Sequence, residues 1–238
     1  MRRAPSTGAP MPSSGPFQRL PPLVVALALG LVAVEALLQL GAHGLIGGPQ
    51  AAGWRIEAMT RFGFSAPLFD YMVETRRPTT EALTRFVTYP AVHSGAMHAI
   101  FGAVLLLALG KAVAERFSQV ATAGILLAGS IAGALAYGLS LDSRVLLVGA
   151  YPGVYGLIGA FSWWLFTASD SAARGRIAAF RLIGVLAGLQ LLFRLLVGGG
   201  DEWVAHLAGF ATGFALAPLL APDGGARLRR WRDRARQR

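Results

Sequence analysis

Long apolar blocks dominate this sequence and restrict the folds that it can adopt. Hydrophobic residues make up 54% of the chain and charged residues only 14%. The apolar residues are concentrated in blocks of roughly 18–25, the length that an α-helix needs to cross a bilayer. A soluble protein with such blocks would have helices that are apolar on every face. We therefore predict an all-α polytopic membrane protein.

The blocks predict a bundle of six transmembrane helices. The expected spans are 21–40, 95–113, 120–139, 153–167, 177–197 and 203–220. The first block is too long for the apolar region of a signal peptide and lacks a convincing cleavage site, so we interpret it as a membrane helix. Glycine pairs four residues apart occur in the third, fifth and sixth spans. Such pairs create flat surfaces where a neighbouring helix can approach closely.

The chain divides into a membrane domain, residues 20–221, and two tails. Residues 1–19 are rich in Pro, Ser and Gly and are expected to be disordered, since they cannot bury a core. Residues 222–238 form an arginine-rich tail.

Six spans place both tails on one side, together with the basic loops near 111–116 and 174–176. The positive-inside rule makes that side cytoplasmic, and we expect a plasma (inner) membrane of bacterial type. The formal charge of +10 then reflects topology and attraction to the lipid bilayer. We expect no nucleic-acid partner, because such a protein needs a basic face on a folded domain.

Residues 41–92 connect the first two predicted helices and are too long to be structureless in a compact protein. Aromatic and charged side chains alternate along the segment, as in Trp54-Arg55 and Arg61-Phe62. Two interpretations remain open. The segment forms short amphipathic helices at the membrane interface, or it is an ordinary soluble loop packed on the bundle.

Histidines occupy positions where chemistry is expected. His93 and His98 flank the entry to the second helix, and His206 lies one turn into the sixth. A polar imidazole at membrane depth indicates a functional site, although one at the interface can simply bond a carbonyl. A metal centre is disfavoured because no carboxylate set accompanies these histidines, and the chain has no cysteine. We predict neither metal nor cofactor.

Five short motifs follow one another along the apolar core. They are Thr84-Arg85-Phe86-Val87-Thr88, His93-x4-His98-x3-Gly102, Gly110-x4-Glu115, Gly149-Ala150-Tyr151-Pro152 with the following Val154–Gly159, and Ala205-His206-x2-Gly209-x3-Gly213. In this order and on these helices, they resemble the rhomboid family of intramembrane serine proteases. The resemblance covers about residues 20–220.

The resemblance implies roles for four positions. In the family, a serine that starts the fourth core helix attacks a peptide bond, and a histidine of the sixth helix is the general base. An asparagine and the second histidine of the second helix stabilise the oxyanion. Carried over, His206 is the base and His98 an oxyanion donor. The nucleophile position holds Tyr151 and the asparagine position holds Gly102.

These two departures predict the loss of protease chemistry. The phenolic oxygen of Tyr151 sits several ångströms further out than a serine hydroxyl, whereas the nucleophile must reach the base. A lost oxyanion donor alone costs on the order of 10²–10³ in turnover. No other serine replaces the nucleophile, since Ser162 lies roughly 16 Å deeper in the same helix and Ser140 and Ser143 have no motif support.

We therefore expect a rhomboid-like pseudoprotease. The family's inactive members bind transmembrane segments of client proteins, and the resemblance implies the same partners here. The alternative is an active intramembrane serine endopeptidase with an unusual site. A transporter is disfavoured, because the helices carry few other buried polar groups.

Overall fold

The computed structural model describes residues 20–140, 143–168, 177, 180–181, 184, 188 and 200–236. Within these ranges the regular structure is helical, with one isolated antiparallel bridge between Phe64 and Leu147. The helices are α1 (Pro22–Ala42), α2 (Trp54–Phe62), α3 (Ala66–Thr75), α4 (Thr80–Thr88), α5 (Ala96–Ala114), α6 (Gln119–Ser140), α7 (Tyr151–Ala168), α8 (Trp203–Leu220) and α9 (Gly224–Arg236).

Four of the described helices are long and apolar enough to cross a membrane. They are α1, α5, α8 and residues Gln119–Leu139 of α6. The prediction of an all-α membrane protein is confirmed. The fourth predicted span corresponds to α7, which begins two residues earlier than expected. The predicted fifth span, 177–197, falls outside the described residues except at isolated positions.

The central helix of the bundle is α7. Twelve of its eighteen residues are buried, and it packs against α5, α6 and α8. Glycines make the approach to α8 close enough for backbone contact, because a Cβ at Gly213 would fall on the carbonyl oxygen of Gly156. A Cβ at Gly209 would likewise fall on the carbonyl oxygen of Pro152. Both contacts pair residues 57 positions apart, so α7 and α8 run parallel.

The predicted flat surface on α6 also faces α7. A Cβ at Gly129 would lie 3.2 Å from the Pro152 carbonyl oxygen, and one at Gly133 would lie 2.6 Å from the Pro152 Cβ. Pro152 therefore lies in a slot between α6 and α8. The first residues of α7 are held in place by glycines on two neighbouring helices.

The segment between α1 and α5 is helical and packs on the bundle. Side-chain caps start two of its helices, with Ser65 accepting from the Leu68 N–H and Thr79 from the Ala82 N–H. Phenylalanines of this segment pack together, as in the edge-to-face pair Phe64–Phe86 at 4.9 Å. The cluster also includes Phe69, Tyr89, Tyr137, Leu147 and Ala205. The segment thus combines the short helices of one interpretation with the bundle packing of the other.

A bidentate ion pair connects α1 to this segment. Arg55 of α2 donates to both carboxylate oxygens of Glu35, at 2.7 and 2.9 Å, and Gln39 Nε2 donates to Oε1 at 2.9 Å. Glu35 lies within α1 and is buried, with its carboxylate facing α2. Arg55 also donates to the backbone carbonyl of His93 at 2.9 Å. The pair therefore links α1, α2 and the residues that precede α5.

Glu35→Ala is expected to destabilise the protein by about 3 kcal/mol, because it leaves the Arg55 guanidinium largely buried without a counter-charge. Thermal unfolding in detergent measures the loss. The matched control is Asp233→Ala, which removes a solvent-exposed pair with Arg232 and should change stability by less than about 1 kcal/mol. Equal effects of the two substitutions would show that the Glu35–Arg55 pair contributes no more than a surface contact.

Candidate functional site

The candidate base, His206, lies in the first turns of α8 and is 8% exposed. Its imidazole stacks on the ring of Tyr155, with centroids 4.7 Å apart and an interplanar angle of 12°. Tyr155 follows Tyr151 by one helical turn, so both phenols lie on the same face of α7. Tyr155 was not predicted from the sequence as a site residue. The four-residue spacing from Tyr151 was the available signal.

Tyr151, at the candidate nucleophile position, lies between two histidines. Its ring stacks on His98 at 4.7 Å and 12°, and its centroid is 5.9 Å from that of His206. The phenolic Oη donates a hydrogen bond to the backbone carbonyl of His98 at 3.1 Å. The phenol ring thus fills the space between the candidate base and the candidate oxyanion donor.

Gly102 completes the set of four positions. A Cβ built on it would lie 3.7 Å from Tyr151 Cε2 and 3.2 Å from His93 Nε2. The structure therefore brings His98, Gly102, Tyr151 and His206 together, although they come from three helices. A Cβ at position 102 would therefore press on the His93 imidazole and be in ordinary contact with the Tyr151 ring.

His93 supports the turn that leads into α7. It is buried, and its Nε2 accepts a hydrogen bond from the Ala150 N–H at 3.4 Å. The adjacent Gly149 N–H donates to the Tyr89 carbonyl at 3.0 Å. Gly149 has φ +96°, and a Cβ there would lie 2.8 Å from His98 Cε1. Position 149 requires glycine for both its backbone conformation and its contact with His98.

Ser94 orients the imidazole of His98. Its backbone N–H donates to His98 Nδ1 at 3.4 Å, and its Oγ lies 3.0 Å from the same nitrogen. Because Nδ1 accepts, the proton of a neutral His98 is assigned to Nε2. That nitrogen faces the α7 turn, since a Cβ at Gly149 would lie 3.2 Å from it. His98 therefore presents an N–H donor to the start of α7.

Burial lowers the pKa of His93 to about 4 from its ordinary value of 6.5. The folded-state pKa lies below the unfolded-state value, so the unfolded chain binds the proton more readily. We expect the contribution of neutral His93 to be complete above about pH 6.5 and to fall as the pH drops towards about 4. Unfolding temperatures measured in detergent between pH 7 and pH 4 test this. His93→Gln should flatten the dependence, and an unchanged slope in that variant would contradict it.

Among the described residues, no three His, Cys, Asp or Glu side chains come together as metal ligands would. The polar side chains of the site are instead the imidazoles of His98 and His206 and the phenols of Tyr151 and Tyr155, together with backbone groups. Such a set can accept and donate protons and can hydrogen-bond a peptide group.

The fold and this site define a polytopic helical membrane protein with a partly buried tyrosine–histidine site at one end of its bundle. The rhomboid-domain family model matches residues 80–223, which is more than half of the chain and runs from the start of α4 to the residue before α9. This chain belongs to the rhomboid family.

Among curated proteins, the chain is similar to Rhomboid-related protein 2 of Mus musculus. The two are 30% identical over 144 residues, which cover 57% of this chain and 46% of that protein. The chain thus matches less than half the length of this relative.

Proposed function

We propose that this chain is a rhomboid-fold membrane protein without serine-peptidase activity, which binds transmembrane segments of client proteins. The observation that carries the proposal is the arrangement of Tyr151. Its ring stacks on His98, and its hydroxyl donates to the backbone carbonyl of His98. A nucleophile must present its oxygen to the base and to the scissile carbonyl. The Tyr151 oxygen is instead committed to a backbone acceptor.

The ring of Tyr151 also occupies space that acyl transfer would need. Between base and oxyanion donor, a protease leaves room for the carbonyl group that is attacked. In this structure the Tyr151 phenol occupies the space between His206 and His98. Its ring stacks on His98, and its centroid lies 5.9 Å from the centroid of the His206 ring. A peptide carbonyl could enter only after the Tyr151 side chain moved.

Tyr151 at the nucleophile position and Gly102 at the asparagine position are sterically compatible with each other. An asparagine at position 102 would extend towards His93 Nε2 and Tyr151 Cε2, which already lie 3.2 and 3.7 Å from a Cβ there. Glycine leaves that room to the phenol. This supports a site rebuilt around Tyr151, in which the loss of the asparagine accompanies the gain of the ring.

Activity-based labelling tests the catalytic part of the proposal. The purified protein is treated with a serine-reactive fluorophosphonate and, separately, with model transmembrane substrates. We expect no labelling or cleavage above that of His206→Ala. Labelling or cleavage that is lost in both His206→Ala and Tyr151→Phe would support the alternative, an active endopeptidase with an unusual nucleophile.

Site-directed photocrosslinking tests client binding. A photoreactive residue replaces Phe101, which is 55% exposed on α5 and adjacent to Gly102. The control position is Leu29, which is 61% exposed on α1. With synthetic transmembrane helices in the same bilayer, we expect crosslinks from position 101 that unlabelled helix competes away. Equal crosslinking from both positions would indicate random collision and contradict the proposal.

We also propose that both termini are cytoplasmic, in a plasma membrane of bacterial type. The structure supports a common end for two basic segments, because Arg116, after α5, and Arg227 of α9 both lie over the ring of Trp164. Reporter fusions at each terminus test the topology.

A further inference from the structure

The arginine-rich helix α9 is attached directly to a membrane helix. Only residues 221–223 separate it from the end of α8 at Leu220. It carries six arginines and one aspartate, Asp233. A helix that begins so soon after a membrane span cannot lie far from the bilayer surface.

Contacts between side-chain rings and a guanidinium show which part of α7 lies beside α9. Trp231 packs on Phe166 with centroids 4.7 Å apart, and the Arg227 guanidinium lies 5.5 Å from the Trp164 ring centroid. Phe166 and Trp164 belong to the last two turns of α7. Helix α8, which is long and apolar enough to cross a membrane, ends at Leu220, and α9 begins at Gly224 against these turns of α7, so the turns lie near the level where the headgroups begin. Helix α9 therefore lies at headgroup level.

Helix α9 packs on α7 through Trp231, and several of its arginines lie on the opposite side of the helix. At 100° per residue, Arg229, Arg232 and Arg236 share one face, and Trp231 points the other way. All three arginines are exposed, and we call them the arginine face. Asp233 lies beside it, 3.8 Å from Arg232, so the face keeps a net positive charge.

We propose that the arginine face binds the phosphate groups of anionic phospholipids in the adjoining leaflet. Guanidinium groups bind phosphate through paired N–H donors, and their attraction to an anionic membrane surface adds roughly a fivefold factor for each residue. The depth of α9 favours lipid headgroups over a soluble polyanion. Arg116 adds to the positive field, since its guanidinium lies 4.5 Å from the same Trp164 ring.

The test uses the full chain in nanodiscs. One set contains phosphatidylcholine alone and the other also contains phosphatidylglycerol. Native mass spectrometry counts the phosphatidylglycerol molecules retained, and the unfolding temperature is measured in both sets. We expect retained phosphatidylglycerol and a higher unfolding temperature in the anionic discs, both weakened by added salt. The combined substitution Arg229→Gln, Arg232→Gln and Arg236→Gln should reduce retention on the order of a hundredfold.

The matched control replaces three exposed arginines at the other end of the bundle, Arg61, Arg77 and Arg144, with glutamine. It should retain phosphatidylglycerol like the parent protein. Inorganic phosphate in neutral discs should not reproduce the stabilisation, and a short RNA should not displace the lipid. The proposal is overturned if the arginine-face variant retains lipid normally, if the control loses it equally, or if phosphate or RNA replaces the lipid.

Discussion

Gly213→Ala is expected to destabilise the bundle by about 3 kcal/mol or more, although a Gly-to-Ala change inside an exposed helix ordinarily stabilises it by about 0.5–1 kcal/mol. The added methyl group would fall on the backbone carbonyl of Gly156, in the contact between α7 and α8. Neither backbone can yield without moving a central helix. The cost should therefore reach or exceed the upper end of the usual range for overpacking.

Gly124→Ala in α6 is the matched control. Gly124 has no atom within 4 Å of a built Cβ, so this variant should be as stable as the parent protein or slightly more stable. Unfolding temperature in detergent and the monodisperse fraction on gel filtration report both effects. Parent-like stability of Gly213→Ala would show that the two helices are not in backbone contact.

Tyr151→Ser combined with Gly102→Asn is expected to create peptidase activity that depends on His206. The serine removes the ring that stacks on His98, and the space it leaves can admit the asparagine side chain. We expect the asparagine to raise the cleavage rate on the order of 10²–10³ over Tyr151→Ser alone, the usual effect of one oxyanion donor. Cleavage of a model transmembrane substrate in proteoliposomes measures the rates.

A double-mutant cycle supplies the internal control. Gly102→Asn alone should destabilise the fold, because its side chain would meet Tyr151 and His93, and Tyr151→Ser should relieve part of that cost. His206→Ala added to the double variant should abolish cleavage. If the double variant folds and remains silent, Pro152→Gly is the next change, because Pro152 fills the slot beside Gly133. Silence of the folded triple variant would show that the protease geometry is not retained.

The sequence was sufficient for the helical membrane fold, whereas the roles of the site residues stay predictions. Apolar blocks of bilayer length predict helices wherever they occur, because the backbone must satisfy its own hydrogen bonds in lipid. The order of the motifs on those helices was enough to expect His98, Gly102, Tyr151 and His206 at one end of the bundle.

The contacts that define the site could not be predicted in this way. Whether the Tyr151 oxygen faces His206 or a backbone carbonyl depends on rotamers and on the exact separation of α5 and α7. The Glu35–Arg55 pair joins residues 20 positions apart across two helices, and no periodicity links them. The segment 222–238 was interpreted as a tail because arginine is its most frequent residue. In the structure, Trp231 of α9 packs on Phe166 of α7.

The contact between α7 and α8 stabilises the fold through residues that have no polar side chain for chemistry. Its stability in that region rests on the absence of side chains, at Gly156, Gly209 and Gly213. None of these glycines donates or accepts a proton through a side chain. A substitution of the polar groups at the start of α7 can therefore leave the contact between α7 and α8 in place, even where it costs stability at the site itself.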